Sequence, residues 1–457
     1  MTKSAVAVLA GLFILSAGAL AAQTQASPQS LGQDIQTRTL KNGMKIIVWP
    51  DFDIPNVVTY DWFHVGSRNE HSGITGISHF FEHMMFNGAA KYGPGDLDNV
   101  MEANGGANNA FTSADVTVYQ DWFPRSALNL IFDIESDRIS SLALDPKMIK
   151  SEREVVYSER RSSVDNNNSN LLSEQIQSAA FVAHPYHIPT IGWPSDIESW
   201  SREQLVQYFK TYYAPNNATL IVVGAVQPKE VFDLAEKYIE PVPSHAPPDP
   251  VSTKEPEQPG ERRVIVRKSA QTPLYQEAYH ISSGAAADRQ AIQLLLAILT
   301  RGDSSRLNRS MVEDQQIAID VSSSQDNGFD PGLAWFYITL PAAGDLAKNE
   351  ALLHKELDAV VKDGVSAAEL RKAKNLAIAD FWRSLKTING KAAALGQYET
   401  FYGGYQKLFD APAAYESITR EQIQKAAAMY FKESNRTVGL LIPTEEMTEA
   451  AKKETSR

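Results

Sequence analysis

The sequence predicts an α+β fold of two similar halves, in which helices pack against sheets rich in antiparallel strands. Three observations predict this fold. A segment that begins at Ser199 recurs at Ser417, an offset of 218 residues. A proline-rich stretch at 241–262 separates the copies and cannot form a helix or a central strand. Strand-like and helix-like patterns alternate on both sides of that linker. We therefore expect homologous halves at 35–240 and 263–445.

The recurring segment reads Ser-Trp-Ser-Arg-Glu-Gln-Leu from Ser199 and Ser-Ile-Thr-Arg-Glu-Gln-Ile from Ser417. Each copy predicts a helix with a hydroxyl N-cap, Ser201 or Thr419, which accepts a hydrogen bond from the first turn. Chance similarity is the alternative explanation, but the matched positions contain no gap. The same offset relates three further pairs ahead of an apolar strand: Tyr212 with Tyr430, Asn217 with Asn435, and Thr219 with Thr437.

The remaining elements follow from hydrophobic periodicity, because strands alternate every second residue and helices every third or fourth. In the first half, strands are predicted at 43–49, 57–63, 110–112 and 116–119, and helices at 73–86, 96–103 and 125–141. In the second half, strands are predicted at 263–267 and 333–340, and helices at 289–300 and 367–385. The asparagine-rich run 165–170 predicts a solvated loop.

Composition excludes several classes of protein. The chain has 457 residues, of which 43% are hydrophobic, so it can bury large cores. Its formal net charge of −12, without a basic patch, argues against a nucleic-acid partner. The absence of cysteine excludes disulfides, thiolate metal sites and cysteine nucleophiles. A metal site must therefore use His, Asp or Glu side chains.

The N-terminus has the pattern of a secretory signal peptide over residues 1–22. A basic start at Lys3 is followed by an apolar run and by small residues at Ala19 and Ala21. A retained membrane anchor is the alternative, although the run is short for spanning a bilayer. We therefore expect a periplasmic or secreted protein.

A candidate metal site begins at His79-Phe-Phe-Glu-His83. Residues four apart lie on one face of a helix, so both imidazoles can reach a single ion, and Glu82 lies beside them. Zinc held by two His needs a third protein ligand, commonly a carboxylate, and the candidates lie in the segment 152–159. Glu82, which is not a ligand, is placed to act as a general base toward water. A zinc site that serves only the fold is the alternative.

These residues resemble the pitrilysin and mitochondrial processing peptidase family, whose inverted His-x-x-Glu-His motif defines the inverzincins. The resemblance extends through nearly the whole first half, and through the second half in outline. It rests on segments beginning at Gly66, Gly73, Gly105, Asn109, Asp137, His184 and Tyr213.

The resemblance assigns roles to particular residues. It implies one Zn²⁺ held by His79, His83 and Glu159, the last lying 76 residues beyond the second His. It implies that Glu152 supports a ligating His. It also implies that Asn109, Ala110, Phe111 and Thr112 form an edge strand that pairs with the substrate backbone, although an ordinary internal strand is the alternative.

The second half departs from the family pattern. By the repeat offset, the places of His79, Glu82 and His83 are taken by Ala297, Thr300 and Arg301, so no second zinc site is expected. The family clamps substrate with an Arg and a Tyr after a Ser-Ser-Arg-Leu motif. This chain has the motif at 304–307, but Val312 and Ile319 stand at the two positions, where they could pack as core.

The sequence therefore predicts an exported zinc metalloendopeptidase that hydrolyses peptides or unfolded polypeptides. Its partner is expected to be a homologous zinc-free subunit that carries the Arg and Tyr, or otherwise a second copy of this chain. The alternative function is a peptide-binding or assembly subunit with a vestigial metal site.

Overall fold

The computed structural model describes residues 32–444, which contain two sheets. The first sheet has six strands in the order β1-β2-β6-β3-β5-β4. The pair β2 and β6 is parallel and the other neighbours are antiparallel. The strands are β1 (Gln36–Thr39), β2 (Lys45–Pro50), β3 (Asn56–Phe63), β4 (Ala107–Thr112), β5 (Thr117–Pro124) and β6 (Ala218–Gly224).

The second sheet repeats this arrangement without an equivalent of β1. Its five strands lie in the order β7-β11-β8-β10-β9, and only β7 and β11 are parallel neighbours. These strands are β7 (Arg262–Lys268), β8 (Leu274–His280), β9 (Asp320–Gln325), β10 (Leu333–Thr339) and β11 (Arg436–Pro443). Two sheets with one topology confirm the predicted α+β fold of two similar halves.

Helices cover the sheets in the same order in each half. The first half contains α1 (Ile77–Met84), α2 (Asp96–Ala103), α3 (Leu128–Ser141), α4 (Pro146–Arg160), α5 (Asn168–Ala180), α6 (Pro194–Ser199), α7 (Arg202–Tyr212) and α8 (Pro228–Leu234). The second half contains α9 (Arg289–Thr300), α10 (Leu346–Asp363), α11 (Ala367–Ser384), α12 (Ile388–Phe401), α13 (Ala411–Ser417) and α14 (Arg420–Tyr430).

The repeated helix starts form as predicted. The hydroxyl of Ser201 accepts from the Gln204 N–H, and the hydroxyl of Thr419 accepts from the Gln422 N–H. In both helices the glutamine side chain also accepts from the N–H of the cap, which completes a capping box.

Two other predictions need correction. The helix predicted at 73–86 is shortened to Ile77–Met84, with turns on either side. The solvated loop predicted at 165–170 is wrong, because α5 begins at Asn168. The Asn167 side chain accepts from the Asn170 N–H, so the polar run acts as a helix cap.

The halves exchange one helix each. Helix α5 of the first half packs on β7, β8 and β11 of the second sheet, whereas α12 of the second half packs on β3 and β6 of the first. Both crossings depend on a glycine. A Cβ atom on Gly396 would lie 2.1 Å from the Trp62 ring, and one on Gly439 would lie 2.4 Å from Ile176. The two halves therefore share their hydrophobic cores.

Polar contacts close the same interface. Asp330, from the β9–β10 loop, accepts from Arg68 at 2.5 Å and lies 3.1 Å from His184 Nε2. The Tyr186 hydroxyl donates to Asp115 at 2.9 Å. The loop of the second half is thus held by residues of the first.

The proline-rich linker contains no helix or strand between Val242 and Gly260. It is tied to the first half where the Glu255 carboxylate accepts from the N–H groups of Val182, Ala183 and His184. The predicted signal peptide, 1–22, lies outside the described residues. Within residues 32–444, no helix is both long and apolar enough to cross a membrane.

Candidate metal centre

Helix α1 carries the His-x-x-Glu-His motif and is fixed at its first turn. The buried Glu70 carboxylate accepts from the N–H of Gly76 at 2.7 Å and from that of Ser78 at 2.8 Å. It thereby satisfies two of the N–H groups that a helix leaves free at its start. Burial raises the pKa of Glu70 to about 7. Glu70 belongs to the segment used to identify the family, but its capping role was not predicted.

The two imidazoles of α1 converge on a carboxylate from α4. Glu159 Oε2 lies 3.2 Å from His83 Nε2 and 3.7 Å from His79 Nε2. One potential ligand atom from each of these residues lies within 4.8 Å of the other two. Two nitrogen lone pairs and a carboxylate oxygen repel one another at such distances unless a proton or a cation lies among them. The structure therefore brings together His79, His83 and Glu159, the three residues that the sequence proposes as ligands.

The protonation states of the two histidines differ. Burial, and then the proximity of His83, lower the pKa of His79 to about 4, so its ring is neutral at pH 7. Burial also lowers the pKa of His83, but hydrogen bonds and charges from Glu152 and Glu159 outweigh it and raise the value to about 9. A metal that binds here must displace the His83 proton.

Glu152 and Asn87 fix the ring of His83. Glu152 Oε1 lies 2.7 Å from His83 Nδ1, and Glu152 Oε2 accepts from the Asn87 amide at 2.8 Å. A proton on Nδ1 leaves Nε2 directed at Glu159 with a free lone pair. Carboxylate support of this kind orients a ligand histidine and raises its basicity. Asn87 lies four residues beyond His83, and its contact with Glu152 was not predicted.

Glu82 lies beside the convergent ligands without joining them. Its Oε2 accepts from the Thr112 hydroxyl at 2.5 Å. Burial raises the pKa of Glu82, and the hydrogen bond from Thr112 partly opposes that shift. A half-buried carboxylate that is held by one hydroxyl can take up a proton from a neighbouring water molecule.

Strand β4 forms an exposed edge of the first sheet. It contains Asn109, Ala110, Phe111 and Thr112 and pairs only with β5, so the alternative of an internal strand is wrong. Asn109 and Phe111 are exposed, while Ala110 and Thr112 face α1 and the core beneath it. The outer edge offers main-chain groups to an extended chain beside Glu82.

The donor set fits zinc. Two imidazole nitrogens and one carboxylate oxygen make a three-residue set typical of catalytic zinc, which keeps a further position for water or substrate. The Nδ1 atom of His79 is buried without a hydrogen-bond partner, so its neutral ring has only Nε2 directed at the other ligands. The residues present can therefore hold one divalent ion.

The second half lacks these ligands at the corresponding place. Thr300 takes the place of Glu82, and its hydroxyl lies 2.6 Å from that of Ser323 on β9. Val312 packs partly against the second core, but Ile319 is 57% exposed, so the expected packing of both residues is wrong for Ile319. Arg301, a possible substitute clamp, is ion-paired with Asp380.

Comparison with known proteins identifies the family. One matching family model, described as Insulinase (Peptidase family M16), matches residues 61–193; another, described as Peptidase M16 inactive domain, matches 199–377. A relative from Helicobacter pylori, named zinc protease PqqE, is 30% identical over 414 residues, covering 89% of this chain and 92% of the relative. The chain belongs to the M16 peptidase family. The predicted family resemblance is confirmed.

Solved structures place the M16 fold over most of the chain. A crystal structure of a protease from H. pylori has a TM-score of 0.86 at 28% identity and covers 90% of this chain and 99% of that one. The periplasmic protease PqqL from Escherichia coli, at 19% identity, shares the fold with a TM-score of 0.74 over 91% of this chain and 48% of its own. A probable mitochondrial-processing peptidase subunit beta from Arabidopsis thaliana is 27% identical over 222 residues, covering 49% of this chain and 41% of the relative.

Proposed function

We propose that the chain is an exported zinc metalloendopeptidase that cleaves extended peptides or unfolded polypeptides. The observation that carries this proposal is the convergence of His79, His83 and Glu159, with Glu82 beside them but not among them. A metal site that served only the fold would close with a fourth protein ligand. Relatives named zinc proteases support the same conclusion.

The roles follow from the chemistry of the side chains. A zinc ion held by His79, His83 and Glu159 would lower the pKa of water and polarise the scissile carbonyl. Glu82 would accept the proton of the attacking water and deliver it to the leaving amine. Thr112 would keep the Glu82 carboxylate oriented, because its hydroxyl donates to Oε2. Glu152 would hold His83 in the tautomer that presents Nε2.

The substrate would lie along β4. An extended peptide can add to this edge through main-chain hydrogen bonds, which read the backbone more than the side chains. A compact folded protein cannot offer an unpaired strand to the edge. Unfolded chains are therefore the expected substrates, and stable globular proteins should be spared.

The test is the variant Glu82→Gln, assayed on an unstructured fluorogenic peptide alongside zinc analysis. Hydrolysis should fall by about 10²- to 10⁴-fold while zinc content stays stoichiometric, because the change removes the base and keeps the ligands. Glu154→Gln is the matched control, since Glu154 is exposed on the same helix as Glu152 and Glu159. A chelator should abolish the parental activity.

Activity within tenfold of the parent in Glu82→Gln would contradict the proposal. Zinc binding without any peptide cleavage by the parent, with or without a partner, would favour the alternative of a non-catalytic binding subunit. Rapid cleavage of a stable folded protein would contradict the β4 binding mode.

Export rests on the N-terminal sequence. Residues 1–22 have the order of a cleaved signal peptide, and the E. coli structural neighbour is titled a periplasmic protease. N-terminal sequencing of the protein recovered from the periplasm should begin near Ala22 or Gln23. Recovery of the full N-terminus in the membrane fraction would support an anchor instead.

We further propose that the active form pairs this chain with a zinc-free M16 subunit. The positions of the family's Arg and Tyr hold Val312 and the exposed Ile319, and neither can donate a hydrogen bond to a developing oxyanion. Loss of one such donor typically costs about 2.7–4 kcal/mol of transition-state stabilisation. A subunit that carries the Arg and Tyr would restore it, and one relative is itself named a subunit.

The pairing is tested with the purified, zinc-loaded chain. Peptidase activity should rise at least about tenfold on addition of an M16 subunit that has the Arg and Tyr but lacks His-x-x-Glu-His. A partner in which that Arg is replaced by Ala is the control. Full activity of the isolated chain, unchanged by the partner, would show that it acts alone or as a homodimer.

A further inference from the structure

The second half contains an open cleft of about 660 Å³ where the first half has its candidate metal centre. The cleft lies between α9 and β9, the counterparts of α1 and β4, and α12 forms its remaining wall. The hydrogen bond between Thr300 and Ser323 occupies the place of that between Glu82 and Thr112. The second half has therefore kept the cleft without the metal ligands.

Arg289, at the start of α9, lines this cleft as an unpaired buried cation. It is 7% exposed, and its guanidinium lies 3.7 Å from the centre of the Tyr402 ring. Across residues 32–444, no carboxylate lies within ion-pair distance of Arg289. The adjacent Asp288 instead accepts hydrogen bonds from Ser282 and Tyr430.

Arg289 is exceptional among the buried arginines of the described chain. The other two, Arg138 and Arg160, are paired with buried carboxylates, Glu135 and Glu174 respectively. Burying an arginine without a counter-ion is costly, and stacking on a tyrosine recovers only about 0.5–2 kcal/mol. The missing counter-ion therefore points to a ligand that brings its own negative charge.

The rest of the cleft wall indicates the chemistry of that ligand. Asp303 and Asp320 also line the cleft, and Arg301 is neutralised by Asp380. A polyanion such as a phosphate chain would be repelled by the two aspartates. Amide and hydroxyl groups, among them Gln293 and Ser322, offer hydrogen bonds to neutral polar groups. This combination suits a peptide segment with one carboxylate.

We propose that this cleft binds a peptide segment, with a carboxylate of that segment paired to Arg289. The site is separate from the candidate metal centre and involves no hydrolysis. It would hold acidic peptides, or the C-terminal ends of peptides, and thereby favour them over neutral chains of the same length.

The test measures peptide binding by the full-length chain in the Glu82→Gln background, where the probe is not cut. The probes are two fluorescent, unstructured peptides of one sequence. One contains Glu and a free C-terminus, and the other contains Gln and an amidated C-terminus. The acidic peptide should bind more tightly, and Arg289→Gln should weaken it at least tenfold without affecting the neutral peptide.

Two variants act as controls. Arg301→Gln removes a cleft arginine that is already ion-paired, so it should leave the preference for the acidic peptide unchanged. Arg289→Lys keeps the charge and should preserve most of that preference, which guards against misfolding of the glutamine variant. Equal binding of both peptides by the parent or by Arg289→Lys would overturn the proposal.

Two further arms separate other sources of the signal. A preference for the acidic peptide that survives Arg289→Gln but disappears with chelator would place the carboxylate at the metal centre and overturn the proposal. Competition by inorganic phosphate at the same concentration as the acidic peptide would reduce the site to a general anion site. Unchanged binding in the presence of both chelator and phosphate is the expected result.

Discussion

At the scale of single residues, the contact between Glu152 and His83 controls how one imidazole is presented. Glu152→Gln should weaken zinc affinity about 10- to 100-fold, because the amide supports the His83 ring less well than a carboxylate. Competition with a chromophoric chelator measures the affinity. Glu154→Gln, on the exposed side of α4, should match the parent. Equal affinities of Glu152→Gln and the parent would show that Glu152 does not support the ligand.

A second residue-scale prediction concerns Arg306 in the Ser304–Leu307 motif. Its guanidinium donates to both carboxylate oxygens of Glu369, at 2.6 and 3.0 Å. Chiefly this bonding, against the cost of burial, lowers the pKa of Glu369 to about 2. The depressed value means that the pair stabilises the fold above the unfolded-state pKa, and that this contribution is lost as pH falls from about 4.5 to about 2.

Glu369→Gln should therefore reduce the free energy of unfolding by about 1–2 kcal/mol at pH 7, allowing for partial solvent screening of the pair. The difference from the parent should shrink steadily below pH 4.5. Urea unfolding at several pH values measures both effects. A difference that is constant from pH 7 to pH 3 would contradict the ion-pair explanation.

The sequence predicted the metal site unevenly. The spacing of His79 and His83 sufficed because residues four apart must share a helix face. Glu159 lies on another helix, and only family resemblance singled it out from its neighbours. Asn87 and Glu70 escaped prediction, because their partners depend on how a turn and a second helix pack.

At the scale of elements, the crossing of α12 over the first sheet depends on Gly396. Gly396→Ala should lower the free energy of unfolding by about 1–3 kcal/mol, because the new methyl group overlaps the buried Trp62 ring. Chemical denaturation measures the effect. Gly260→Ala is the control, since a Cβ there meets nothing within 4 Å. Equal stability of the two variants would show that the crossing tolerates a side chain.

The exchanged helices were the least predictable elements. The polar run at 165–170 resembles a loop because asparagine favours both turns and helix caps, and only tertiary structure separates the two. Helix α9, in contrast, has the predicted limits, since its apolar residues surround most of the helix. Local pattern identified elements that pack within one half, but not helices whose partner sheet lies in the other.

At the scale of the whole molecule, helix exchange predicts that the halves stay together after the linker is cut. A protease site introduced at 246–249, in the exposed part of the linker, should give two fragments that co-elute in gel filtration. The shared cores at α5 and α12 hold the fragments without a peptide bond. Separation of the fragments in native buffer would contradict this view of the interface.

Reciprocal exchange of α5 and α12 also bears on the origin of the molecule. Two identical half-length chains that swapped this helix would form a symmetric dimer with the same contacts. In such a dimer, each substitution would appear in both copies. Covalent fusion through the linker frees each copy to diverge alone. One cleft could then keep histidines and a glutamate while its twin acquired Arg289, so the asymmetry of the chain is a consequence of joining its halves.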